Sequence, residues 1–289
     1  EIKLLWDQEL KYRPNFSTVN GVVNIPVIFS KISGVKDGSV SQYWESIAAL
    51  ITEDTVVVKS APYIEPTVSG PMKAFAVEFY KNGKLLRNKI KNHPRYPYHL
   101  LREEMQEFIL DKLQLLIERK LIKGIGENGT EYTVIAQILD LPKEILRLIQ
   151  KFDFTKKNPK LIYINTGETM ISLQDSILVT FLNLAGFDIL FFVPTGYQSV
   201  ENYFAEKLME EHQIGEYKYD MQVPDLNNIS TNSTRPSWRR KLFRRGSRLW
   251  DLISVNHLWE ILLRPVMVFR RKMRLKLWRN MILSLTGSR

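Results

Sequence analysis

Two apolar runs, KLIYIN from Lys160 and DILFFVP from Asp188, flank LQDSILVTFLNLAGF and constrain the fold more than any other stretch of the chain. Neither run alternates apolar with polar residues, so each reads as a strand covered on both faces. Between them Ser172 and Asp175 form a capping-box-like helix start, and Gly186 supplies a stop. Strands joined by a helix of about 14 residues pair in parallel through a right-handed crossover. The predicted fold class is therefore α/β, with a Rossmann-like parallel β-α-β unit over residues 154–226. The next stretch, SVENYFAEKLMEEH, predicts a further helix.

The region before this unit, residues 1–153, reads as mixed α/β and rich in helix. GVVNIPVIFSKISGV predicts a strand or a short helix, SQYWESIAALIT a helix, and DTVVVKSAPYI a buried strand. KAFAVEFYKNGKL fits either a strand with an Asn-Gly turn or a helix. Apolar residues recur at three- and four-residue steps from His99 to Ile122, which predicts a long amphipathic helix that GIGENGT ends. YTVIAQILDLPKEILRLIQKF then gives two short helices broken at Asp140-Leu141-Pro142. As far as Ile149 its second helix carries only Lys143 and Arg147 as cations, opposed by Glu144, so a core hairpin is favoured over a DNA-reading motif.

Net charge divides the chain. The 289 residues carry +10 overall, yet from Arg235 onward fifteen Lys and Arg face only Asp251 and Glu260, a net +13. The preceding residues hold 26 basic and 29 acidic side chains, a net −3. Excess basicity thus belongs to the end of the chain, beyond a polar linker at 227–237. Residues 238–289 alternate Arg clusters with Trp, Phe and Leu, which predicts a basic amphipathic helical tail. Arg239, Arg240, Arg244, Arg245, Trp250, Arg270, Arg271 and Trp278 are its candidates for contact with an anionic membrane surface. A nucleic-acid arm and a tail packed on the body are the alternatives, and nucleic acid is the weaker partner.

No run in the chain reaches the about 18 apolar residues of a membrane span. Residues 1–10 lack the apolar core of a signal peptide. The chain starts at Glu1 rather than Met, so it is expected to be a fragment of a longer polypeptide. With no cysteine there is no disulfide, no thiolate-bound metal and no Cys nucleophile, which suits a cytoplasmic location, peripheral on the inner membrane face if the tail binds lipid. His99 with Glu103 and Glu104 offers two ligand types on one face but no third, so no metal set is assigned. No cofactor is assigned either.

In a parallel sheet the loops at the carboxyl ends of strands form the crevice where ligands bind. Asn165, Thr166, Gly167 and Glu168 occupy one such loop. Pro194, Thr195, Gly196 and Tyr197 occupy the next. The glycines permit close backbone approach, the threonines offer hydroxyls, Glu168 is the candidate catalytic carboxylate and Tyr197 a stacking ring. Thr166 and Thr195 serve equally well as helix caps, with both glycines relieving tight turns. Neither loop fits a phosphate-binding consensus, so no nucleotide class follows.

NPKLIYINTGETMISLQDSILVTFLNLAGFDILFFVPTGYQSVENYF, with EEHQIGEYKYDMQVPDL, VNIPVIFSKISGV and LPKEILRLIQKFDFTKKNPK, resembles the YceG-like proteins of bacterial tellurium-resistance and general-stress gene clusters. The resemblance covers roughly residues 10–227. It implies a component of a biosynthetic module tied to toxic-anion resistance and envelope stress. It carries over the two Thr-Gly loops as distinctive positions without a catalytic role. The expected partners are an anionic small molecule or nucleotide and other proteins of that cluster, and a non-catalytic scaffold acting through the tail is the alternative.

Overall fold

The computed structural model describes residues 2–19, 22–64, 72–152, 156–168, 170–197 and 200–229, and the backbone of 263–270. Its centre is a mixed sheet whose parallel strands come from both sides of residue 153. In chain order the strands are β1 (Ser17–Val19), β2 (Val22–Ser33), β3 (Thr55–Val58), β4 (Tyr80–Lys81), β5 (Lys84–Leu85), β6 (Lys160–Ile164), β7 (Asp188–Val193), β8 (Glu210–Gln213) and β9 (Leu263–Arg270). β3, β6, β7, β2 and β8 lie side by side and parallel, while β4 and β5 form a separate hairpin.

The covered-strand reading of KLIYI and DILFFV holds: every residue of β6 and β7 is buried. Alternation then sorts their side chains onto two faces. Phe29, Val56, Val58, Leu161, Tyr163, Ile189 and Phe191 point to the first face, and Ile28, Ile32, Ile162, Ile164, Leu190 and Phe192 to the second. The first face is covered by α4 (Glu103–Glu118), α5 (Thr130–Ile138), α6 (Lys143–Lys151) and α7 (Leu173–Leu184). α1 (Ile2–Asp7) and α2 (Val40–Ala48) cover the second, through Leu5, Trp6, Tyr43, Trp44 and Ile47. α3 (Arg87–Lys91) pairs with α4 at the surface through Arg87 to Glu107 and Asp111.

α7 is buried from Asp175 to its end, because it sits between the sheet and the α4 and α5 layer. That position explains why even Ser176, Thr180 and Asn183 of this helix are buried. Ser172 is its N-cap, accepting a hydrogen bond from the Asp175 N–H at 3.0 Å, as the capping box predicts. Tyr98 secures the break between α5 and α6: its hydroxyl donates to the Ile138 carbonyl at 2.6 Å and accepts from the Leu141 N–H at 3.0 Å.

Several expectations change. KAFAVEF forms a 3-10 helix at Lys73–Phe79, and the Asn-Gly turn follows it between β4 and β5, so both readings of that stretch are realised in sequence. SVENYFAEKLMEEH does not form a helix. A 3-10 turn at Val200–Tyr203 gives way to a bridge between Phe204 and Ile122, and EEHQ becomes β8. Tertiary pairing overrides the periodicity here: the Ala205 N–H binds the Leu121 carbonyl, and the Lys123 N–H binds that of Tyr203.

In the tail, Leu263–Arg270 is a strand rather than helix, antiparallel to the first half of β2 with a register shift between Asn24 and Pro26. Pro26 and Pro265 face each other at the shift, where neither can donate a ladder hydrogen bond. Arg239, Arg240, Arg244, Arg245, Trp250, Arg271 and Trp278, and the linker beyond residue 229, lie outside the described residues. No helix among the described residues is long and apolar enough to cross a membrane.

Candidate functional site

Where chains leave the carboxyl ends of the parallel strands decides where a crevice opens. After β3, β6 and β7 the chain turns onto the first face, and after β2 and β8 onto the second. Adjacent strands β2 and β7 therefore part their loops in opposite directions, which is the geometry that makes a ligand crevice in an open sheet. The Thr195–Tyr197 loop borders this point directly. Asn165–Glu168 lies one strand away, joined by the bond from the Asn165 N–H to the Phe192 carbonyl at 3.0 Å.

The predicted residues divide by exposure. Asn165 and Thr195 are buried at the floor, Thr166, Gly196 and Tyr197 are half-buried, and Gly167 and Glu168 face solvent. Thr195 does act as a turn cap: its Oγ1 accepts from the Tyr197 N–H at 3.3 Å. Thr166 caps no helix, since α7 begins seven residues later with Ser172 as its cap. Gly196 has φ +70, and a Cβ there would lie 2.3 Å from Cε1 of Tyr217. What approaches this glycine closely is thus a ring of the chain itself.

Asp175 takes up the N-terminal end of α7. Its Oδ2 accepts from the Tyr63 N–H at 2.8 Å and the Tyr163 hydroxyl at 2.6 Å, and its Oδ1 accepts from the Ile64 N–H at 2.7 Å. The carboxylate thereby fastens the loop after β3, which contains the cis bond Ala61–Pro62, to β6 and the first turn of α7. Burial first, and then the Asp175 charge, push the Tyr163 phenol well above its ordinary range, so it stays protonated and donates to Asp175. Because Asp175 already answers the positive end of α7, a ligand anion at this edge has to be met by side chains. Lys36, Lys59 and Lys218 stand on the loops after β2, β3 and β8.

Lys31 was not among the residues singled out from sequence. Its side chain is 1% exposed on β2, with Nζ 2.7 Å from Glu201 Oε1 and 3.3 Å from Glu211 Oε1. It ties β2 to β8 and to the 3-10 turn after the second loop. The signal was a lone cation at an inward position of VNIPVIFSKIS, but its partners lie some 170 residues away. The glutamates remain 30% and 41% exposed, so water receives them if the lysine is removed. Lys31→Met is therefore expected to shift urea-unfolding stability by less than about 1 kcal/mol, whereas a Glu201→Gln, Glu211→Gln pair strands the buried ammonium and costs about 3 kcal/mol or more.

A second unremarked pattern is Gly124-Ile125-Gly126-Glu127-Asn128-Gly129, a G-x-G-x-x-G that opens α5. It follows a helix rather than a strand, and Glu131 Oε2 accepts the Gly126 N–H at 2.9 Å. A carboxylate from the first turn of α5 takes the Gly126 N–H, so the pattern builds a turn.

His99 and His93 take structural places. His99 Nδ1 meets the Tyr96 carbonyl at 2.8 Å, and His93 packs against Phe75 and Phe79. Among the described residues no three His, Asp or Glu side chains converge as a metal site.

The chain is 25% identical over 233 residues to the uncharacterized protein YceG of Bacillus subtilis (strain 168), an alignment covering 78% of this chain and 43% of that protein. It thus spans less than half the length of this relative. No solved structure matches. The YceG domain family matches residues 1–233, four-fifths of the sequence, and the chain belongs to that family.

Proposed function

We propose that this chain is the ligand-binding component of a bacterial stress-resistance biosynthetic system, built on a Rossmann-like sheet and taking a phosphorylated or anionic small molecule at its carboxyl edge. The observation that carries this reading is the parting of the β2 and β7 loops onto opposite faces, with Thr195–Tyr197 on one bank. Asn165 and Thr195 would supply polar contacts at the floor and Tyr197 a stacking face. Lys36 would meet the anion, and exposed Glu168 would face the ligand's reactive end.

A thermal-shift series on the unaltered chain with inorganic pyrophosphate, sugar phosphates and nucleotides tests this. A ligand at a hundred times its Kd stabilises by about 2.7 kcal/mol, a rise of about 5–10 °C for a domain of this size. The Thr195→Val variant is expected to lose most of that rise and Glu168→Gln part of it. No rise with any compound overturns the reading.

A further inference from the structure

The crevice between β2 and β7 is crossed by the chain segment that follows β8. The Ile214 N–H donates to the Ser33 carbonyl at 2.9 Å, the Val35 N–H to that of Glu216 at 2.8 Å, and the Lys218 N–H to that of Pro194 at 3.0 Å. These three bonds stitch one short segment to both banks of the switch point.

The approach is as close as backbones allow. A Cβ on Gly34 would lie 2.9 Å from the Gly215 carbonyl oxygen, one on Gly215 would lie 2.2 Å from that of Val35, and one on Gly196 would meet the Tyr217 ring. Yet none of residues 214–220 is buried. Tyr217 is 43% and Tyr219 57% exposed. The flanking anchors are firm, since Met209 belongs to the core on the first face, and Met221 and Leu226 to that on the second. Positive-φ backbone marks both ends, at Gly215 with φ +150 and Asp220 with φ +56. A segment with firm ends, an exposed middle and few apolar contacts opens locally without unfolding the core.

We propose that Ile214–Asp220 is an autoinhibitory strap: with Tyr217 seated on Gly196 it occupies the crevice, and it must lift before a ligand reaches the Thr195–Tyr197 bank. This rests on the reading that the ligand binds there. Strap closure and ligand binding exclude each other at Gly196, so the affinity seen in solution is the intrinsic affinity reduced by the fraction of open chains.

The chain has no cysteine, so a Val35→Cys, Glu216→Cys pair forms one defined staple. These residues are bridge partners in an antiparallel pair, with Cα atoms about 4.5–5.5 Å apart, within the about 4.4–6.8 Å that a disulfide spans. Pyrophosphate binding is measured by calorimetry on the unaltered chain, the Tyr217→Ala variant, and the stapled protein oxidised and reduced. The expected result is binding about tenfold tighter in Tyr217→Ala, none in the oxidised staple and recovery on reduction. Equal binding in all forms overturns the strap and leaves the ligand reading standing. No binding in any form overturns both.

Hydrogen exchange on the unaltered chain needs no variant and no ligand. Ile214, Val35 and Lys218 amides that exchange at a rate insensitive to mild urea support local opening. Exchange of these amides only with global unfolding overturns the strap.

Discussion

Asp188→Ala is expected to destabilise the fold by about 3–5 kcal/mol, the cost of leaving a buried charge without its partner. At about 2–4 °C per kcal/mol for a domain of this size, the melting temperature falls by about 6–20 °C. Asp188 lies at the amino end of β7, opposite the candidate site. Its oxygens take the Arg13 guanidinium at 2.8 and 2.6 Å and the Ile28 N–H at 2.9 Å, with Lys160 Nζ at 3.5 Å. Arg13 and Asp188 side chains are fully buried, so removing the carboxylate strands a guanidinium and an ammonium away from water.

Acidity offers a second measure of the same cluster. Burial alone would raise the Asp188 carboxyl, but the Arg13 charge and hydrogen bonds outweigh it, with Lys160 and the Ile28 N–H adding to them, and hold it below its ordinary 3.8. A folded value depressed below the unfolded one contributes stability above about pH 4 and loses it as pH falls through the folded value. Urea midpoints measured from pH 6 down to pH 2 should show that loss in the unaltered chain and a shallower decline in Asp188→Asn. Parallel declines would remove Asp188 as the cause.

Asp175→Ala is the second large effect, expected at about 2–4 kcal/mol in urea unfolding. Three donors lose their acceptor: the Tyr163 hydroxyl is buried, while the Tyr63 and Ile64 N–H groups are partly exposed and recover some bonding to water. Ser172→Ala removes only the helix cap and is expected to cost about 1 kcal/mol. If the two variants cost the same, Asp175 serves α7 alone and does not fasten the loop after β3. Faster amide exchange at Tyr63 and Ile64 in Asp175→Ala, with α5 unchanged, identifies the loop as the part released.

How far these features could be read from the sequence depended on their range. The Ser172–Asp175 cap, the covered strands β6 and β7 and the Pro142 break are local, formed by residues a few positions apart with a fixed period. The Asp175 side chain escaped because its cap role is visible in four residues, whereas its hold on Tyr63 spans 112 positions. Lys31 and its glutamates escaped for the same reason. The helix predicted over SVENYFAEKLMEEH failed because Phe204 bridges to Ile122 and the wholly polar EEHQ pairs with β2 as an edge strand. Periodicity does not distinguish these when long-range partners supply the hydrogen bonds.

Thr195 and Gly196 combine both kinds of information. That an apolar strand should break at Thr-Gly, with the threonine capping the turn, follows from side-chain chemistry within three residues. That Asn165 and Thr195 should lie on neighbouring strands follows from the length of the helix between them. Neither pattern could show which neighbouring loops part to opposite faces, or that Tyr217 rests on Gly196. Those depend on β2 inserting between β7 and β8, a pairing of segments more than 150 residues apart. Local sequence determines which segments become strands and where they end, because backbone hydrogen bonding and side-chain burial act residue by residue. Strand order and the filling of the crevice belong to the tertiary structure alone, because they are settled by which distant apolar faces bury each other.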